Sequence, residues 1–389
     1  MTTIEHAFQI LHQSCTPQGI LASAERRDNY NRVWARDSMM AGLAGYWQND
    51  PIVIAAFKAS VISLAKQQSQ QGQLPSNIAF DPYGNVEKVS YGGLCGRVDA
   101  TTWWLIGACI LGQDDTNFAA TMHDTVVRAF AILTVWEYND RGLVYVPLGG
   151  NWADEYVTQG YTLYDQLLRL WALQEAATTY QNKTWALQAQ QLRRLLSENY
   201  WLQNSPPTLP YHATAWHNAP NRPAYWACSL APNGYDTRWD MAANALALCL
   251  GLGNKTQQTA VIQHIETWAA TEGSWLLPVF YPIIDANHPD WQLLSNNYAY
   301  SYKNKPNHFH NGGVWSIFLG WLARGLCKVG RNDLAIKIHI DLINALQREE
   351  PPHTFYEYIA FDTKKAGGTP HLCFTAAGIL LSSSLPPLD

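Results

Sequence analysis

The sequence predicts an all-α fold, an (α/α)6 barrel in which six helical hairpins close into a toroid. Three observations carry that expectation. Apolar periodicity marks about twelve helical segments and hardly any convincing strand. Amphipathic segments alternate along the chain with segments that are apolar almost all round. The apolar segments start roughly every 60 to 76 residues, each interval the length of one hairpin with its loops.

Taken in order, a weakly amphipathic outer helix near 3–14 precedes an inner helix near 36–48, and the second hairpin joins 51–67 to 98–112. The third joins 117–136 to 161–178, the fourth 183–199 to 237–252, the fifth 256–270 to 312–328 and the sixth 331–346 to 371–383. The outer helix of the fourth hairpin sets Ala186, Leu187, Leu192, Leu195 and Leu196 against Gln188, Gln190, Gln191, Arg193 and Arg194, which gives it one wet face. The inner segments Met241–Leu252 and Val314–Leu326 have no such face, and their Ala and Gly let backbones approach closely. Asp50 before Pro51 reads as an N-cap and first helical position, and Gly330 punctuates the turn before the eleventh helix. No low-complexity linker interrupts the chain, so residues 1–389 are expected to form one domain.

Composition narrows the function. The net charge of -5, from 26 basic and 31 acidic residues, comes with no basic run, so neither nucleic acid nor an anionic membrane is an expected partner. Apolar runs such as Ala242–Leu252 fall short of the roughly 20 residues that span a bilayer. Met1–Ser14 carries Glu5 and two His where a secretory leader has a basic end and an apolar run. With seven Cys lacking CxxC spacing, a reduced, cytoplasmic setting is expected, and a homo-oligomer is compatible with the sequence. The 12 His form no HExxH pair, and neither GxGxxG nor a P-loop occurs, so no metal and no cofactor is expected.

If the inner helices are parallel, the loops entering them open at one end. Those loops are Tyr30 to Asp37, Tyr91 to Asp99, Gly149 to Glu155, Asn233 to Asp240, His308 to Gly313 and Thr354 to Tyr358. They bring Trp34, Arg36, Asp37, Asp99, Trp152, Tyr235, His310, Asn311 and Tyr356 to a funnel of aromatic faces, carboxylates, amides and a guanidinium. Such a mixture suits a small carbohydrate, with rings stacking on its apolar side and polar groups taking its hydroxyls. Trp34 and Trp152, outside the helices, are the candidate sugar platform.

Several of these residues have simpler readings. Asp37, Asp99 and Asp240 sit in first helical turns, where a carboxylate is stabilised whatever the function. Arg36 and Asp37 also read as a buried ion pair, and His310 and Asn311 as partners of loop backbone. Glycosidic hydrolysis needs two carboxyl groups flanking the scissile bond. Asp154 and Glu357 are the candidates, each in a loop among aromatic residues and several positions before its helix, with Glu155 an alternative to Asp154. An aromatic setting would raise the pKa of whichever carboxyl must stay protonated.

Asn31 to Asp37, Gly96 to Thr101, Trp152-Ala153-Asp154, Gly234-Tyr235-Asp236 with Asn244 to Ala247, His310 to Trp315 and Thr375 to Gly378 together resemble the (α/α)6 glycosidases. The nearest groups are the glucosidase domain of glycogen-debranching enzymes (amylo-alpha-1,6-glucosidase) and the alkaline/neutral invertases. The resemblance implies a glycoside hydrolase with Asp154 as general acid and Glu357 as the second carboxylate. Likeness to the debranching group further implies inversion, with Glu357 activating water. Invertases read Gly-Tyr-Pro and debranching enzymes Gly-Lys-Pro where this chain has Gly160-Tyr161-Thr162. The expected substrate is a small α-glucoside, attacked from its end, with sucrose the alternative. Other classes remain on the same barrel: an epimerase or isomerase using His310 and His371, a phosphorylase using Arg36, Arg97, Lys303 and Lys305, or a non-catalytic sugar-binding protein.

Overall fold

The computed structural model describes residues 1–383 apart from 26, 204, 205, 208, 209 and 220. Its first three hairpins pair α1 (Thr3–Ser14) with α2 (Ala35–Trp47), α3 (Pro51–Lys66) with α4 (Val98–Asp114), and α5 (Thr116–Val135) with α6 (Leu163–Thr179). After α7 (Lys183–Asn199) the chain makes a short α8 (Ala213–His217) before the inner α9 (Met241–Cys249). Likewise α10 (Lys255–Glu272) is followed by a short α11 (Trp291–Asn296) before α12 (Ser316–Lys328), and the last hairpin is α13 (Asn332–Gln347) with α14 (Cys373–Ser383). The inner helices pack in a closed ring, α2 on α4, α4 on α6, α6 on α9, α9 on α12, α12 on α14 and α14 back on α2. This is the (α/α)6 barrel.

The two helix classes start differently. Several outer helices carry side-chain caps, from Thr2 before α1 (with Glu5 of α1 completing a capping box), Asp50 before α3, Asp115 before α5, Asn182 before α7 and Asn254 before α10. Each inner helix has a backbone N–H, at its start or two residues before, that donates to a carbonyl of the next entry loop, and α9 is also capped by Asp240. The bonds are Ala35 to Ser76 (2.9 Å), Val98 to Gly150 (2.8 Å), Leu163 to Cys228 (2.8 Å), Met241 to Val279 (2.8 Å), Val314 to Ile359 (2.8 Å) and Cys373 to Ala22 (3.0 Å). Six equivalent bonds therefore stitch the entry loops into a ring, and place all six inner N-termini at one mouth.

The entry loops also hold short strands that the sequence does not announce. Val33–Trp34, Asn77–Phe80 and Val86–Ser90 form one small sheet, and Tyr161–Thr162, Ser229–Ala231 and Gly234–Asp236 another. Strands of two to five residues are too short to alternate visibly, and their partners lie far away in sequence.

Small residues let the inner ring close: a Cβ on Gly378 of α14 would lie 2.3 Å from the carbonyl oxygen of Ser316 in α12. The interior is filled by large rings. Trp47, Trp103, Trp171 and Trp321 meet edge to face or tilted, with centroids 5.6 to 5.9 Å apart, and plug the barrel toward the inner C-termini. Helix α5, twenty residues long, is apolar enough overall to cross a bilayer, which the contiguous apolar runs are not. Its apolar side, with Phe118, Met122, Val126, Phe130 and Leu133, is buried, while His123, Asp124 and Arg128 are exposed, as an outer barrel helix requires.

Candidate active site

At the mouth ringed by entry loops lies a narrow hollow whose lining includes Tyr30, Trp34, Arg36 and Asp37 from the first loop, and Asp154 and Glu155 from the third. Lys303, Phe309, His310 and Trp315 come from the fifth, and Glu357 from the sixth. In a ring of six, the third and sixth loops stand opposite one another. Asp154 and Glu357 therefore reach one hollow from facing sides, near enough for the charge of Asp154 to raise the pKa of Glu357.

Asp154 is presented by a tight turn that begins where Gly150 N donates to the Pro147 carbonyl, 2.8 Å. Asn151 accepts from Ala153 N through Oδ1 and donates through Nδ2 to Asp165, fixing the approach to Asp154 from below. Arg97, the residue before α4, donates from Nη2 to Asp154 Oδ2 at 2.9 Å and from Nη1 to the carbonyls of Cys95 and Gly149. Burial pushes the Asp154 carboxyl up, but 28% of the side chain remains open, and the neighbouring charges, Arg97 first among them with His310 and Arg36, hold it below its ordinary value.

Glu357 precedes the hairpin of Tyr358–Ile359 with Ala366–Gly367. Tyr30 donates its hydroxyl to Oε1 at 2.7 Å and Thr369 its N–H to Oε2 at 3.2 Å. Gly368 has φ +84, and a Cβ there would lie 2.5 Å from Glu357 Oε2, so glycine is needed for both the turn and the fit. Burial raises the Glu357 carboxyl above its ordinary value, with Lys303, Tyr30 and the Thr369 N–H pulling the other way. Tyr30 itself is held protonated by burial and by Glu357, which keeps it a donor.

The floor carries the buried charges. Arg36 lies 3.3 Å from Asp37 and 3.6 Å from Asp99. Burial pushes Asp37 up to about 6 against the pull of Arg36. Burial pulls His310 down to about 3, so its imidazole is neutral near pH 7. Glu155 beside Asp154 is raised by burial and then by its neighbour's charge.

Of the residues expected at the funnel, Trp34, Arg36, Asp37, His310, Asp154 and Glu357 meet at the hollow. The rest do not line it. Asp99 lies behind Arg36, 1% exposed. Trp152, expected as a sugar platform, is packed among Phe280, Trp315, Phe318 and His310, because its loop turns inward before Asp154. Tyr235 sits in a strand opposite Leu230 and packs on Trp216. Asn311 staples its own loop, accepting from Ile284 N and donating to the carbonyls of Ile284 and Asn304. Tyr356 lines a separate surface depression with Arg348 and Glu349. Sequence reasoning did not select Tyr30, although it stands in the same Tyr30 to Asp37 loop. Lys303 was noted only as a cation for phosphate. Phe309 and Trp315 flank the selected His310 and Asn311, and only the fold shows which ring faces inward.

A hollow of aromatic rings and opposed carboxyls in the mouth of an (α/α)6 barrel suits a glycoside hydrolase, and the relatives of this chain bear out that class. The profile of the family described as alkaline and neutral invertase matches residues 188–385, just over half of the chain. The chain belongs to that family. Glu357 lies within the matched residues and Asp154 before them. The probable alkaline/neutral invertase D of Arabidopsis thaliana is 22% identical over 369 residues, covering 82% of this chain and 68% of the relative. The probable alkaline/neutral invertase A, chloroplastic, of the same plant is 23% identical over 448 residues, covering 98% of this chain and 70% of the relative. Among solved structures, a mannosylglycerate hydrolase from Thermus thermophilus superposes with a TM-score of 0.66 at 14% identity, covering 97% of this chain and 99% of that one. That likeness is one of fold.

Proposed function

We propose that the chain hydrolyses the glycosidic bond of a small α-glucoside by an inverting mechanism, with sucrose the first substrate to test, as the invertase family suggests. The observation carrying this reading is that Asp154 and Glu357, from opposite loops, line one narrow hollow. Opposed loops favour the wider carboxyl spacing that leaves room for a water molecule. The hollow is narrow and walled by the first, third, fifth and sixth entry loops, which favours removal of a terminal sugar over attack within a polymer.

In this mechanism Asp154 gives its proton to the leaving glycosidic oxygen. Glu357 takes a proton from water as the water oxygen bonds to the anomeric carbon from the opposite face. Tyr30 and the Thr369 N–H direct two donors at Glu357, which suits an oriented carboxylate acting as base. Asp37 and Arg36, which line the hollow, would take sugar hydroxyls, and Trp34 would offer a ring face.

The reversed assignment, Glu357 as acid and Asp154 as base, is favoured by the pKa directions, since Arg97 holds Asp154 ionised while burial raises Glu357. A glycosyl fluoride separates the two, because departing fluoride needs no proton. Asp154→Asn and Glu357→Gln should each lose about 10²- to 10⁴-fold on sucrose. On α-glucosyl fluoride, Asp154→Asn should recover most of that loss and Glu357→Gln should not; the opposite pattern assigns the reversed roles. Full activity of either variant on sucrose would remove the pair altogether.

A further inference from the structure

A roomier cavity, about 510 Å³, opens at the other end of the barrel, where the inner helices finish. Its most unusual wall residue is Arg324 of α12. Arg324 is 4% exposed, its Nε is buried without a hydrogen-bond partner, and it makes no ion pair or hydrogen bond among the described residues. Its guanidinium lies over the face of Trp47, 3.9 Å from Cζ to the ring centroid. A buried cation without a counter-charge is costly, and it is stabilised by whatever anion enters beside it.

The converging C-termini carry negative partial charge, which explains cations here as a group. Arg193 meets that need directly, donating to the carbonyls of Leu250 and Gly251 at 2.9 and 3.1 Å. Arg324 bonds to none of these carbonyls. One turn further along α12, Lys328 also lines the cavity, and Glu175 is the acidic residue facing the three cations. Glu175 is held in place by Gln113 Nε2 and Trp171 Nε1, each at 2.7 Å. The wall thus combines an unspent positive charge, an oriented carboxylate able to accept hydroxyls, and tryptophan side chains.

We propose that this cavity binds a phosphorylated sugar of hexose size, its phosphate against Arg324 and Lys328, its hydroxyls on Glu175 and Gln113, and its ring beside the tryptophans of the wall. A phosphate takes two donors from a guanidinium. The carboxylate rewards a hydroxylated ligand over a bare anion, and the volume is ample for a hexose phosphate. The barrel's tryptophan plug separates this cavity from the catalytic hollow, so the two sites are distinct.

The test is calorimetric titration of the full chain with glucose 6-phosphate, with intrinsic tryptophan fluorescence as a second reading. Saturable binding is expected, weakened about tenfold or more by Arg324→Gln and to a smaller degree by Lys328→Gln. Binding should persist in Asp154→Asn, and both cavity variants should keep wild-type kcat in the absence of the ligand. Lys328 is exposed, so its variant reports on the site even if Arg324→Gln folds poorly. No saturable binding up to about 10 mM, or unchanged affinity in both cavity variants, would overturn the proposal. Equal affinity for inorganic phosphate would overturn the sugar part of it, and loss of binding in Asp154→Asn would move the ligand to the catalytic hollow.

Discussion

Arg97 controls the protonation of Asp154 without needing to touch a sugar. Replacing it with Gln removes the charge that depresses the carboxyl, so Asp154 should titrate at higher pH. If Asp154 is the acid, the alkaline limb of the kcat/KM profile moves up; if Asp154 is the base, the acid limb moves up instead. A profile that does not move would separate Arg97 from the chemistry. Tyr30→Phe acts on the other carboxyl. Loss of its hydrogen bond raises Glu357 further, so with Glu357 as base the acid limb should rise while the alkaline limb stays. Residue identity made Asp154 and Glu357 legible in the sequence, since both are loop carboxylates among aromatic residues. It did not tell Trp34 from Trp152, because whether an indole faces the hollow or the core depends on the turn that follows it.

At the level of elements, the hairpin after Glu357 sets the position of that carboxyl. Gly368→Ala forces a Cβ against Oε2 and demands a positive φ from a side-chain residue. Its kcat should fall by about tenfold or more while the far-ultraviolet dichroism stays that of the wild type; unchanged kcat would show that the carboxyl tolerates displacement. The twelve barrel helices could be read from sequence because burial on one side or on all sides leaves a direct periodic trace. The ring of six N–H bonds leaves none, being made by backbone groups of unrelated side chains such as Ala35, Val98 and Cys373. The loop carrying α11 was equally silent, although it supplies Lys303 to the hollow and ties Asn304 to the carbonyl of Glu155 at 2.7 Å.

Across the whole molecule, the barrel buries carboxyls that favour the proton-bound form. Burial is the leading cause that pushes Asp165 up to about 8 and Asp240 up to about 7. A carboxyl whose pKa is raised by folding stabilises the fold fully below its unfolded value, near 3.9, and that contribution is lost as the pH climbs through the folded value. The melting temperature should therefore fall between about pH 5 and pH 8, and Asp165→Asn should flatten that slope; a parallel slope in the variant would place the pH dependence elsewhere. Both carboxyls sit at the starts of inner helices, so this cost is built into the same end of the barrel as the catalytic hollow.

In the proposed mechanism water attacks the glucosyl anomeric carbon from the face opposite the leaving group, between two carboxyls held by facing loops. Proton magnetic resonance during the first seconds of sucrose hydrolysis by the wild-type chain reads this directly. Inversion makes β-glucose the first product, with the α anomer appearing only later, by mutarotation. α-Glucose as the first product, or no cleavage of sucrose and small α-glucosides, would contradict it.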